Sequence, residues 1–157
     1  MELRDMRLAI AAHYEPGAPK VARAISERGV EEVFSGIPES ERVDIKVIYN
    51  SIAESDGTFI TPEDELWPAA VNDLEVPPIG LIVKGDVGAL SLQSLAIVGT
   101  RNPTPYGSRI ASEFAAGFVD REWAIVSGGA YGIDSAAHRG ALVAEGRTIA
   151  VIASGID

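Results

Sequence analysis

Cysteine is absent from the 157 residues. That excludes zinc fingers, thiol nucleophiles and cysteine-ligated iron–sulfur centres together, and leaves no disulfide framework to infer. Long apolar runs are missing too: no stretch approaches the roughly 18 residues a membrane span needs. The N-terminal MELRDMRLAIAAHYEP mixes charge into its apolar positions and has no small-residue cleavage site, unlike a secretory signal. The chain therefore reads as cytoplasmic, with no membrane partner. Positive charge is scarce, with 13 Lys and Arg against 23 Asp and Glu for a net −10. Such a balance opposes a broad, non-specific polyanion surface and confines any nucleic-acid site to a local patch.

What is present is globular. Hydrophobic residues make up 46% and charged residues 23% of the chain, enough apolar content for a packed core without metal or cross-links. The length suits one ordinary domain, or a small one beside a larger. The acid is uneven: residues 1–64 carry 7 basic and 13 acidic side chains, a net −6, and residues 65–157 carry 6 and 10, a net −4. The more nearly balanced part is also the glycine-rich part.

The chain reads as α/β, a small N-terminal helical domain followed by a Rossmann-like parallel sheet with flanking helices. Apolar periodicity predicts a helix over Leu3–His13, closed by Pro16 and Gly17, and a second over Pro19–Arg28 that buries Val21, Ala24 and Ile25 and stops at Gly29. A short turn is expected over Val30–Phe34. A third helix is expected from Pro38, through Ile45, Ile48, Tyr49 and Ile52, to Gly57. Thr58–Pro78, with Pro62, Pro68 and the pair Pro77–Pro78, reads as a connector. The expected domains are thus 1–60, helical; 61–78, linker; and 79–157, the sheet. Strands are expected at Ile79–Val83, Leu95–Val98, Trp123–Val126 and Thr148–Ala153, and helices at Pro105–Asp120 and Ile133–Glu145. Strand, helix, strand, helix, strand is the order of a parallel sheet with crossover helices.

Ligands of such sheets sit where strand feeds into helix. The first such turn is AIVGTRNPTPYGSR, Ala96–Arg109. Gly99 permits a sharp turn, and Thr104–Pro105 is a cap and first-turn pair that leaves amide N–H groups for an anion. As turn and cap alone, Gly99 and Thr104 have an equally good structural explanation. Arg101 shifts the balance, because a loop arginine beside the positive end of a helix calls for an anion or a carboxylate. The second turn is IVSGGAYGIDSAAHRGAL, Ile125–Leu142. Ser127, Gly128, Gly129 and Gly132 allow close backbone approach. The glycine spacing is neither the dinucleotide fingerprint nor a P-loop. Asp134 and His138, four apart on one helical face, read as a cap and a local hydrogen-bond partner before an acid–base pair. Gly140, inside that helix, is expected to serve close helix–sheet packing. Tyr106 and Tyr131 fit base stacking or ordinary packing equally.

Taken in order, VPPIGLIVKGD, LAIVGTRNPTPYG, AIVSGGAYGIDSAAHRGAL and GRTIAVIASGID resemble the DNA-processing protein A family, also called DprA or Smf, over about residues 65–157. The N-terminal helices are similar to the small helical domain, often of sterile-alpha-motif type, that precedes the family's Rossmann-like core. The resemblance implies a recombination mediator of natural transformation that binds and protects incoming single-stranded DNA and helps load the RecA recombinase. It implies no enzymatic activity, catalytic residue, metal or cofactor. Its DNA contacts would be Gly99, Thr100, Arg101, Tyr106 and Gly107 in the first turn and Ser127, Gly128, Gly129 and Gly132 in the second. Two departures from the family pattern stand out. Tyr131 occupies a position where many relatives carry a basic residue. The family core also continues beyond the position of Asp157, so the chain reads as truncated within that core, and the remaining pocket wall and the homodimer contact of a full-length form are expected from the continuation. The alternative is a nucleotide-binding enzyme on a related fold, phosphoribohydrolase-like, whose Pro-Gly-Gly-x-Gly-Thr catalytic loop this chain lacks.

Overall fold

The computed structural model describes residues 1–15 and 17–154. Pro16, half of the expected stop signal after the first helix, and residues 155–157, the end of the expected core, lie outside the described residues. The described residues divide into two compact units, one over Met1–Val87 and one over residues 88–154.

In the first unit, α1 runs Leu3–His13 and buries Arg7, Leu8, Ala9 and Ile10, with Ile10 in one apolar cluster and Leu8 in another, while Leu3 is exposed. Helix α2, Pro19–Arg28, starts with proline at its first turn and ends at Gly29, whose φ of 87° suits glycine. Val30–Ser35, expected as a turn, forms a short helix, α3, because Val30 and Val33 share one buried face. Together with Ile10, Val21 and Ile37 they make the first core, with Ala24 and Ile25 packed against it.

The single helix expected from residue 38 to residue 57 is divided. A 3₁₀ turn occupies Glu39–Glu41, and α4 begins only at Ile45 and runs to Glu54. Asp44 sets that start: its carboxylate accepts from the Lys46 N–H at 3.0 Å, and a side chain bonded so favours the cap over the helix interior.

The expected connector contains a strand. β1, Gly57–Ile60, pairs antiparallel with β2, Leu81–Lys84, with Phe59 opposite Ile82. The strand expected at Ile79–Val83 for the parallel sheet therefore belongs to a two-stranded sheet of the first unit, and the unit boundary falls after Val87 rather than between residues 61 and 78. Arg7 holds the intervening loop. It pairs with Glu63 at 2.7 Å and donates to the Ile79 carbonyl at 3.3 Å.

The second unit is built as its pattern implies. Strands β3 (Ser94–Ala96), β4 (Ala124–Ser127) and β5 (Thr148–Ala150) form a parallel sheet in that order, with Leu95 opposite Ile125 and Ile125 opposite Thr148. The crossovers are α5, Pro105–Val119, and α6, Ile133–Val143. Ile125, Ala115, Ala137 and Ala141 form its core, with Leu95 and Ile97 packed against them. Both helices end alike. Trp123 N–H reaches Phe118 O and Glu122 N–H reaches Val119 O after α5, and Gly146 and Glu145 repeat the pattern on Ala141 and Leu142 after α6. These are Schellman closures, each with a glutamate in the left-handed position where glycine is usual, at φ 63° and 56°. Gly140 serves helix–helix packing, not helix–sheet packing: a Cβ there would stand 2.3 Å from the Ser112 carbonyl oxygen of α5.

Candidate functional site

Both glycine turns lie at the carboxyl ends of their strands, and the start of α6 binds them to each other. After β3 the chain turns through Gly99, Thr100 and Arg101. Thr100 O accepts from the Ile133 N–H at 3.1 Å, and the Thr100 hydroxyl accepts from Asn102 N–H at 3.2 Å. Gly132, at φ 93°, presses against the same segment: a Cβ on it would meet Thr100 O at 2.2 Å and Arg101 Cα at 2.8 Å. Gly99 rests on the Ile133 side chain, with 2.8 Å to a Cβ built there. Glycine at these two positions thus answers close packing of one turn on the next helix.

Arg101 is the product of this clamp. Its backbone is fixed by α6, and its side chain is exposed. Each other arginine of the second unit is engaged: Arg109 with Glu113, Arg121 with the Gly117 carbonyl, Arg139 with the Ser135 carbonyl, and Arg147 as well. Arg101 has neither an ion pair nor a hydrogen-bond acceptor among the described residues. Beside it, Thr104 caps α5 by accepting from Gly107 N–H at 3.1 Å. Tyr106 is 66% exposed, with the Arg109 guanidinium 5.6 Å from its ring centre. A guanidinium without a carboxylate, near the positive end of a 15-residue helix, is chemically suited to an anion such as phosphate.

The second turn divides its residues between support and surface. Ser127 is buried, and its hydroxyl donates to the Ile97 carbonyl at 2.6 Å, tying β4 to β3. Gly128 sits over Asp134, whose Oδ2 would be 2.7 Å from a Cβ at that glycine. Gly129 is exposed, and Tyr131 is 85% exposed. Asp134 and His138 do not bond each other. Asp134, buried, accepts from Gly99 N–H at 3.4 Å. His138 places Nε2 2.9 Å from the Gly128 carbonyl and Nδ1 2.6 Å from the Thr148 hydroxyl. A carbonyl only accepts, so Nε2 carries a proton there. Asp134 is spent on a backbone amide and His138 on a backbone carbonyl and the Thr148 hydroxyl, which agrees with a supporting role and not with an acid–base pair.

Among the described residues no cluster of three or more His, Asp or Glu converges as a metal site, and no helix is long and apolar enough to cross a membrane. A groove of about 390 Å³ lies at the opposite, amino ends of the strands, lined by Leu92, Val119, Trp123, Ala124, Gly146 and Arg147. The glycine turns are the better candidate for a polyanion, since they present an exposed guanidinium without a partner among the described residues, whereas the groove is flanked by Glu122 and Glu145.

The sequence model of the DNA recombination-mediator protein A family matches residues 58–157. The chain belongs to that family. It is similar to the DNA processing protein DprA of Bacillus subtilis, at 42% identity over 92 residues, which are 58% of this chain and 31% of that protein. It is also similar to the protein Smf of Synechocystis, at 39% identity over 103 residues, 63% of this chain and 26% of the relative. The chain thus spans about a third or less of the length of these relatives. The X-ray structure of DNA processing protein A from Streptococcus pneumoniae shares the fold, with a TM-score of 0.73 at 22% identity, covering 99% of this chain and 59% of that one. Both glycine turns fall inside the residues that the family model matches.

Proposed function

We propose that this chain supplies a single-stranded DNA-binding surface of a recombination mediator, acting by binding and not by catalysis. In the cytoplasm the complete protein, as a homodimer, protects incoming DNA during natural transformation and helps load the RecA recombinase. Arg101 carries the reading: it is the one arginine of its unit without a partner among the described residues, on a turn whose backbone α6 holds in place. Gly99, Thr100, Tyr106 and Gly107 surround it, and Gly128, Gly129 and Gly132 line the adjoining turn, with Ser127 beneath. Family membership supports DNA as the anion this site takes. Single strands suit an open rim with exposed aromatic side chains, on which bases stack without sequence preference.

A salt titration of oligo-dT binding tests the proposal. The parent chain should lose affinity steeply as salt rises, and Arg101→Ala should shallow the log–log slope by about 0.7, the value for one phosphate contact on a single strand. Unchanged affinity and slope in the variant would remove Arg101 from the interface.

A further inference from the structure

The separation of the two glycine turns is fixed from beneath by two polar side chains of α6, one turn of helix apart. Asp134 is only 7% exposed, yet among the described residues no positively charged group pairs with it; its Oδ1 accepts from the Gly99 amide, and its Oδ2 packs under Gly128. As the second residue of α6 it also sits where the helix dipole favours an anion. The positive end of α6 is therefore answered by the chain's own carboxylate, in contrast to the start of α5. His138 takes the other side of the same turn. Its Nε2–H holds the Gly128 carbonyl, and its Nδ1 meets Thr148, whose hydroxyl lies 3.0 Å from the Ile125 carbonyl of β4.

We propose that Asp134 and His138 are positioning residues for DNA binding: Asp134 sets the turn that carries Arg101 and His138 sets the Gly128 turn, so that both present their phosphate-binding groups at one spacing. The inference rests on the binding role proposed above for Arg101. Neither side chain touches DNA in this account. Each acts through backbone atoms whose placement decides whether Arg101 and the Gly128–Gly129 amides meet the same strand.

The test is a double-mutant cycle on oligo-dT affinity and its salt slope, with thermal melting as the control for folding. Asp134→Ala removes the acceptor, and Asp134→Asn keeps an oxygen facing Gly99. Asp134→Ala should weaken binding about tenfold, the scale of one hydrogen bond to a charged group, and lower the salt slope by about 0.7 as Arg101→Ala does. Adding Arg101→Ala to Asp134→Ala should then cost little more, because both act on one contact. Asp134→Asn should keep the parent slope. Losses that multiply in full, an unchanged slope in Asp134→Ala, or tighter binding on removal of the carboxylate would each overturn the inference while leaving Arg101 in place. No effect of Arg101→Ala by itself would overturn both readings. Should Asp134→Ala not melt cooperatively, His138→Leu against His138→Gln decides on the same scale, since Gln retains an N–H for the Gly128 carbonyl. Equal slopes in that pair would overturn the proposal.

Discussion

Gly132 has two separate reasons to be glycine: a φ of 93° and a Cβ position 2.2 Å from the Thr100 carbonyl oxygen. An alanine would have to open the junction between α6 and the Arg101 turn, at a cost of about 2–3 kcal/mol from strain and overpacking combined. Gly132→Ala should therefore lower the urea midpoint and weaken DNA binding together, and a variant as stable as the parent would contradict the packing described. The opposite sign is expected at Glu122, whose φ of 63° is one glycine adopts freely. Glu122→Gly should raise stability by about 1 kcal/mol, read as a higher melting temperature, because the left-handed conformation penalises a Cβ by about that much. Glu122 and Glu145 escaped sequence reading for a simple reason. Glu145 reads as the last residue of a helix because glutamate is a good helix former, Glu122 falls between an expected helix and an expected strand, and both chain reversals are imposed by where β4 and β5 must begin.

Among the elements, the loop clamped by α1 should give the first unit a response to acid. Burial alone would raise the Glu63 carboxyl, but the Arg7 guanidinium and the Thr61 hydroxyl outweigh it and hold Glu63 below the usual carboxylate range. Asp64 is lowered too, against burial, by the Thr61 amide and by Arg4. A depressed folded-state pKa gives stability that is present above the unfolded value and lost as pH falls through the folded one. The first unit should thus lose stability below about pH 4, and Glu63→Gln should show a smaller difference between urea midpoints at pH 7 and pH 3 than the parent. A second element-level test is Gly140→Ala, which forces a methyl group into the α5 backbone at Ser112 and should cost about 1–3 kcal/mol in thermal or urea unfolding. Elements defined by local signals were legible: α1 and α2 follow from periodicity with proline and glycine at their ends, and α5 from the Thr104–Pro105 start. The parallel order of β3, β4 and β5 followed from strand–helix alternation. The β1–β2 pair was not legible, because its two strands lie across a proline-bearing stretch and their pairing is a long-range choice no local pattern encodes. Nor was the break before α4, where Pro38 reads as a first helical residue but the capping carboxylate of Asp44 sets the start at Ile45.

For the molecule as a whole, the net charge of −10 and a local DNA site are compatible only if one patch is kept free of acid. The Arg101 turn meets that condition: its basic side chain is unpaired among the described residues, and the nearest buried carboxylate, Asp134, faces inward onto Gly99 and Gly128. The sequence located both turns correctly but not the reason for their glycines. Gly99 and Gly132 are small because one turn packs on the next helix, a contact between residues some thirty positions apart. With a single cation at the centre of the rim, affinity should be modest and dominated by few phosphates, so the salt dependence of binding is the most direct measure of the account. Oligo-dT affinity is followed against salt for the parent and for Arg101→Ala, with Arg121→Ala, whose guanidinium is spent on the Gly117 carbonyl, as the control. The slope should be shallower by about 0.7 in Arg101→Ala and unchanged in Arg121→Ala; identical slopes for the parent and Arg101→Ala would rule out a phosphate contact at Arg101.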